Sequence, residues 1–313
     1  MAQPSMRNRT PSRAGLAGRL RAFRRDEEGG IIKDPVLLRV AEDEFWLSIS
    51  DSDVLLWAQG VNVGLKMNVE IDEIDVAPVQ IQGPKSRPLM KKVFGAEVDD
   101  MKYYKLWQTK FKGMDVIISR TGFSAEVGYE VYLRDATKNA DKFWDAMMEA
   151  GEEFNIAVIA PSHVRRIEAG ILSYGQDMDI ETNPFEVNLD KHVKFKDDND
   201  YIGKEALQKI KEKGVSRRLV GLRIGGARAI HWYNPDFWPV YDKDGEKEEG
   251  YVTSAFYSPK LGCNIALAMM PIEETEVGTP KKVYLPEEGG LADATISEVP
   301  FFDPEKKIPA ANE

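Results

Sequence analysis

Cysteine is almost missing from this chain: Cys263 is the single one in 313 residues. An internal disulfide is excluded, and so is any metal site built from several thiolates. A reducing compartment, the cytoplasm, is the natural setting, and the thiol itself reads as a small buried core residue. Histidine is scarce too: His163, His192 and His231 are the full set, with no H-E-x-x-H pair. That argues against a zinc hydrolase, and no metal is expected. No G-x-G-x-x-G occurs, so a flavin domain would have to be a separate chain. No apolar run approaches the ~20 residues a membrane helix needs, so no membrane partner is expected. Acids are absent from residues 1–25, which hold seven arginines; setting that +7 aside turns the net charge of −10 into −17 for the remainder. So acidic a body is not expected to bind nucleic acid. The basic start has the composition of an organelle transit peptide, of a disordered tail or of a wrongly assigned start.

What is present is a globular composition, 42% hydrophobic and 30% charged, long enough for two or three domains. "EEGGIIKDPVLLRVAEDEFWLSIS" reads as a hairpin of apolar strands around the acidic turn Glu42–Glu44. "DSDVLLWAQGVNVGL" predicts a helix capped by Asp51 or Ser52. A short helix is expected over Arg87–Phe94, a second hairpin around Lys112-Gly113, and an amphipathic helix carrying Phe143, Met147 and Ala150. "PSHVRRIEAGILSYG" predicts a further helix, capped by Ser162 and stopped at Gly175. From about Arg217 the pattern changes to short strands between Gly, Pro and charged turns, which suggests a small antiparallel barrel or sandwich.

One strand stands apart. In "SRTGFSAEVGYEVYL" (119–133), Glu130 and Tyr132 point to one face, and Tyr129, Val131 and Leu133 to the other. From this pattern alone a solvated strand face is the expected reading, ahead of a ligand.

Several separated stretches resemble the T-protein family, the tetrahydrofolate-dependent aminomethyltransferases and their demethylase relatives. They run in the family's order: "GGIIKDPVLL" (29–38), "IQGPKS" (81–86), "SRTGFSAEVGYEVYL" (119–133), "RRIEAGILSYGQDM" (165–178), "NPFEVNLDKHVKF" (183–195), "DYIGKEAL" (200–207), "RRLVGL" (217–222) and "GYVTSAFYSPKLGCNIALAMM" (250–270). The resemblance implies an α+β fold: a three-domain cloverleaf with a C-terminal antiparallel β-barrel, its first domain incomplete here. It divides the chain into a basic, non-family N-terminus (1–28), a folate-binding α/β region of two interleaved domains (29–214) and the barrel (215–313).

By the same resemblance Asp34 is the catalytic acid beside the reacting folate nitrogen. Glu130 clamps the pterin ring as a two-oxygen acceptor, with Tyr132 and Phe123 as its neighbours in the folate or donor site. The departures are specific. The family's G-E-D-G is Ala125-Glu126-Val127-Gly128 here, and its folate-gripping arginine falls at Ser162, with Arg165 and Arg166 about a turn away. "IIKDPVLLRV", "NPFEV" and "GYEVYL" resemble the dimethylsulfoniopropionate demethylase branch, although Phe123 stands where that branch tends to carry Trp.

The implied activity is therefore tetrahydrofolate-dependent one-carbon transfer, with demethylation of a small cationic methyl donor preferred. Alternatives are glycine-cleavage aminomethyl transfer, which needs a lipoyl carrier protein as partner, and a folate-binding relative or inactive fragment without catalysis. A homo-oligomer stays open. Family members usually carry about a hundred residues before "GGIIxD", against 28 here; the expectation is a truncated, weak catalyst with exposed edges and apolar patches.

Overall fold

The computed structural model describes residues 28–49, 54–195 and 201–311, with two further strand segments, Gly18–Arg19 (β1) and Ala22–Arg24 (β2). Gly30–Lys33 (β3) pairs with β2. Glycine is required at position 30, because a Cβ there would sit 1.8 Å from the Ile180 carbonyl oxygen. Pro35 follows Asp34 and, having no amide hydrogen, breaks the ladder before Val36–Arg39 (β4). Phe45–Ser48 (β5) pairs antiparallel with β4 around the acidic turn, as the sequence predicts. Val54–Leu65 (α1) follows, and its expected cap at Asp51 or Ser52 lies outside the described residues.

The next body is a four-stranded antiparallel sheet. Its strands are Val76–Gln82 (β6), Leu106–Phe111 (β7), Met114–Ser119 (β8) and Gly128–Arg134 (β9), in the order β6-β9-β8-β7. One face carries Tyr129, Val131, Leu133, Ile118 and Ile81. It packs on Ser86–Phe94 (α2) and Ala136–Gly151 (α3) through Met90, Phe143 and Met147. Burying Phe143 and Met147 on one stripe is what their helical spacing requires.

His163–Glu168 (α4) is shorter than the sequence predicts. Ser162 does cap it, its hydroxyl accepting from the Arg165 amide. The helix ends six residues on, because Gly170 takes φ +62° against the Val299 side chain; Gly175, also left-handed, closes a later turn. Lys204–Lys213 (α5) ends at Gly214, whose amide donates to Ile210 at 2.8 Å.

Beyond it lies a closed barrel rather than a sandwich. Arg217–Ile224 (β10), Trp238–Tyr241 (β11), Glu248–Ser258 (β12), Cys263–Pro271 (β13), Pro280–Leu285 (β14) and Gly290–Ser297 (β15) run in the order β10-β13-β12-β11-β14-β15. Pairing of β10 with both β13 and β15 closes it, which removes every free edge. Cys263 is not a core residue. As the first residue of β13 it stays partly exposed, its sulfur 3.5 Å from an Arg223 guanidinium nitrogen. A last helix, Lys307–Ala310 (α6), ends the described chain.

Candidate functional site

The second face of the four-stranded sheet is not solvated at Glu130 and Tyr132. The β4–β5 hairpin covers it: Leu38, Val40 and Trp46 pack with Ile117 and Tyr132 in a separate apolar cluster. Glu130 is thereby caught in an interior, only 6% exposed. A carboxylate so placed is tolerable only when hydrogen-bonded. Gln80 and Ser119 stand directly across from Glu130 on β6 and β8; Gln80 bonds it directly, and the Ser119 hydroxyl bonds the Thr121 hydroxyl.

The Gln80 amide donates to Glu130 Oε1 at 2.9 Å. On Oε2 the Thr121 hydroxyl makes a short bond, and the Tyr132 hydroxyl donates at 3.3 Å. Burial pushes the Glu130 carboxyl above the ordinary glutamate range, against the pull of these bonds. Burial likewise raises Tyr132, helped by the Glu130 charge. Oε1 receives this one bond from the described residues, so the carboxylate keeps acceptor capacity on its Gln80 side, and Gln80 itself is exposed.

Of the residues singled out from sequence, Glu130 and Tyr132 come together. Tyr132 is 2% exposed; its ring meets Trp46 edge-on at 6.4 Å, so it supports the carboxylate from behind. Asp34 sits partly buried between β3 and β4, two residues before Val36, which packs on the cluster beneath Glu130. Phe123 is partly buried in the loop joining β8 to β9. Sequence reasoning missed Gln80, Ser119 and Thr121; period-two spacing from Gln82 to Gln80 was the available signal.

That loop is built around Gln82. A Cβ on Gly122 or Gly128 would lie within 2.3 Å of the Gln82 amide, so a larger residue at either position would displace that side chain. Ser124 donates to the Gln82 carbonyl oxygen at 2.7 Å. Ala125, where the resembling family has glycine, keeps the left-handed backbone at φ +55°. A non-glycine residue there costs about 1–2 kcal/mol. Ala125→Gly is therefore expected to raise stability by about 0.5–1 kcal/mol, read as a higher urea midpoint at unchanged slope.

The two arginines of α4 divide. Arg166 is 1% exposed and turned toward the barrel, bound to Asp177 at 2.5 Å. Arg165 reaches outward to Glu126 at 2.6 Å, and Lys260 approaches the same oxygen at 3.8 Å. Glu126 therefore ties the Phe123 loop to α4 and to the barrel. Beside it lies a cleft of about 30 Å³, lined by Tyr103, Tyr104, Thr121, Glu126, Phe302 and Lys306 among others. That volume holds one or two waters, far below the ~300 Å³ of a ligand pocket. None of Asp34, Phe123, Glu130 and Tyr132 lines it; Thr121 links it to Glu130.

Residues 22–197 match the GCVT N-terminal domain, and residues 217–303 the glycine cleavage T-protein C-terminal barrel domain. The dimethylsulfoniopropionate demethylase of Ruegeria pomeroyi is 35% identical over 87% of this chain and 72% of its own length. The aminomethyltransferase of Thermotoga maritima is 34% identical over 88% of this chain and 74% of its own. The crystal structure of glycine cleavage system aminomethyltransferase T from Bartonella henselae superposes with a TM-score of 0.72 over 93% of this chain and 78% of that one; at 20% identity it speaks for the fold. No helix among the described residues is long and apolar enough to cross a membrane. With its first domain model spanning more than half of the residues and the barrel model following in order, the chain belongs to the glycine cleavage T-protein family.

Proposed function

We propose that the chain is a tetrahydrofolate-dependent one-carbon transferase, acting on a small cationic methyl donor such as dimethylsulfoniopropionate. The observation that carries this reading is Glu130: a carboxylate held in an apolar interior by Gln80, Thr121 and Tyr132, with one oxygen able to take a further donor. The amino-pyrimidine edge of a pterin presents N–H donors, one of which Oε1 can accept as a charge-assisted bond. Asp34 then faces the folate amine that gains positive character as it accepts the carbon. A fixed negative charge there stabilises what develops in the transition state. A sulfonium donor leaves as a neutral thioether, so no strong general acid is required and positioning supplies most of the acceleration.

The Thermotoga relatives favour the second reading, aminomethyl transfer with a lipoyl carrier protein, at nearly the same identity as the demethylase. The products separate the two: methyl-folate from a sulfonium donor, methylene-folate from an aminomethyl carrier. Calorimetric titration with tetrahydrofolate, followed by addition of each donor and mass analysis of the folate, is the test. Absence of folate binding removes both readings. Asp34→Asn is expected to lower kcat by about 10²–10³ while the folate dissociation constant moves less than about threefold, since the lost charge acts on the transition state.

A further inference from the structure

The last described stretch of chain leaves the barrel and returns to the β8–β9 loop. Up to Phe302 it is fastened to the body. Val299 abuts Gly170, and the Phe301 ring packs in one apolar cluster with Ile167 and Leu219. The Phe302 amide donates to the Glu168 carbonyl at 3.0 Å, and Lys260 covers the Phe302 ring at 3.6 Å.

From Asp303 onward the hold is of another kind. Residues 304–307 and 310 are exposed. Helix α6 is a single turn, too short to persist on its own backbone bonds. Its Lys307 and Ile308 amides both donate to the Asp303 carboxylate at 2.8 Å. Asp303 and Lys306 take left-handed backbone, φ +47° and +54°, which side chains disfavour. The latch is Arg120, which is 1% exposed. Its guanidinium donates to the Pro309 carbonyl at 3.2 Å and makes a short bond to that of Ala311, while also holding Met101 at 2.8 Å.

The neighbour of that latch is Thr121, whose hydroxyl bonds Glu130. Phe302, Asp303, Lys306 and Pro309 line the 30 Å³ cleft together with Thr121 and Glu126. We propose that residues 303–311 are a lid over this cleft, hinged at Asp303 and latched by Arg120, which opens as one unit and closes when ligand is held at Glu130. Opening undoes the Arg120 bonds to Pro309 and Ala311 and relaxes two left-handed residues, while everything up to Phe302 stays packed. A segment so held opens far more often than the whole fold does. Closing keeps water from the Thr121–Glu130 bond and so strengthens it. The closing half rests on the folate reading of Glu130; the opening half does not.

The test is the labelling rate of one thiol by a maleimide. Ala169 lines the cleft and is buried, so a Cys263→Ser/Ala169→Cys chain reports its opening. Asp303→Ala in that background removes both cap bonds of α6 and is expected to raise the rate about tenfold at an unchanged urea midpoint. Deleting residues 303–313 is expected to raise it about 100-fold. Rates that neither change moves overturn the inference, because the cleft is then shielded by something else. A midpoint that falls in step with faster labelling in both variants overturns it too, since the segment then opens only with the whole fold. Saturating tetrahydrofolate is expected to slow labelling about fivefold with the segment present and less than about twofold without it. Equal slowing in both means that the ligand merely blocks the thiol, and the closing half falls. If calorimetry finds no folate binding, the reading of Glu130 fails by itself, and the rates of the two variants still decide whether the lid exists.

Discussion

Glu130→Gln is expected to weaken tetrahydrofolate binding about 100-fold and, in the same protein, to raise the melting temperature of the unliganded chain by about 2–4 °C. The two effects have one cause. The carboxyl is raised above the ordinary glutamate value of 4.5 because burial penalises its charge. Its folded pKa exceeds its unfolded one, so its contribution to stability is fully present below the unfolded value. That contribution is lost as the pH rises through the folded value. Above that folded value the free protein holds a charge it would be more stable without.

An amide of the same shape removes that charge and keeps partners for Gln80, Thr121 and Tyr132, since hydroxyls both donate and accept. The folate edge loses a charge-assisted pair worth about 3 kcal/mol, roughly two decades in affinity. The wild type should lose stability as the pH is raised from 4 toward neutrality, and the variant should lose less over that interval. Folate affinity in the wild type should run the other way, falling as acid protonates Glu130. Thermal melts with and without tetrahydrofolate across that interval are the measurement. A variant that binds folate as tightly as the wild type removes Glu130 from the site.

The trade-off explains why this site was half legible in the sequence. Alternation along "GYEVYL" places Glu130 and Tyr132 on one face, and this is a local rule that β9 obeys. Whether that face is wet is a long-range matter. It is decided by Leu38, Val40 and Trp46, more than eighty residues earlier in the chain, and nothing in 119–133 reports their arrival. The Gln80 donor is hidden for the same reason, because the register of β6 on β9 is set by packing rather than by the strand itself. Helix α4 shows the limit from another side. Gly170 and Gly175 are equally permissive in sequence, and the Val299 contact selects the earlier one. Glycine spacing in the loop was readable only as a motif; the cause, a glutamine side chain threaded between Gly122 and Gly128, needs three dimensions.

Arg166→Met is expected to cost about 3–5 kcal/mol, the loss that follows when one member of a buried pair is removed. The pair is completely enclosed. Asp177 Oδ2 takes the Arg166 Nη1 at 2.5 Å and the Ser173 amide at 2.8 Å, while Oδ1 takes the hydroxyls of Thr253 at 2.6 Å and Ser254 at 2.5 Å. Arg166 Nη2 donates in turn to Ser254 at 2.8 Å and Gln176 at 3.1 Å. Methionine matches the length of the arginine stem but leaves the buried Asp177 carboxyl without its guanidinium partner. Asp177→Leu alone is expected to cost as much, for the mirror reason.

The double variant should cost less than either single change, since two apolar side chains of similar volume restore a neutral interior. Urea midpoints of the four proteins measure this, and additive losses would show that the two groups do not act as a pair. The consequence reaches the site. Asp177 and Ser254 hold α4 against β12, and α4 carries Arg165, whose bond to Glu126 fixes the loop bearing Phe123. Any single change that loosens α4 should therefore weaken folate binding without touching Glu130. The double variant should recover part of that affinity along with its stability.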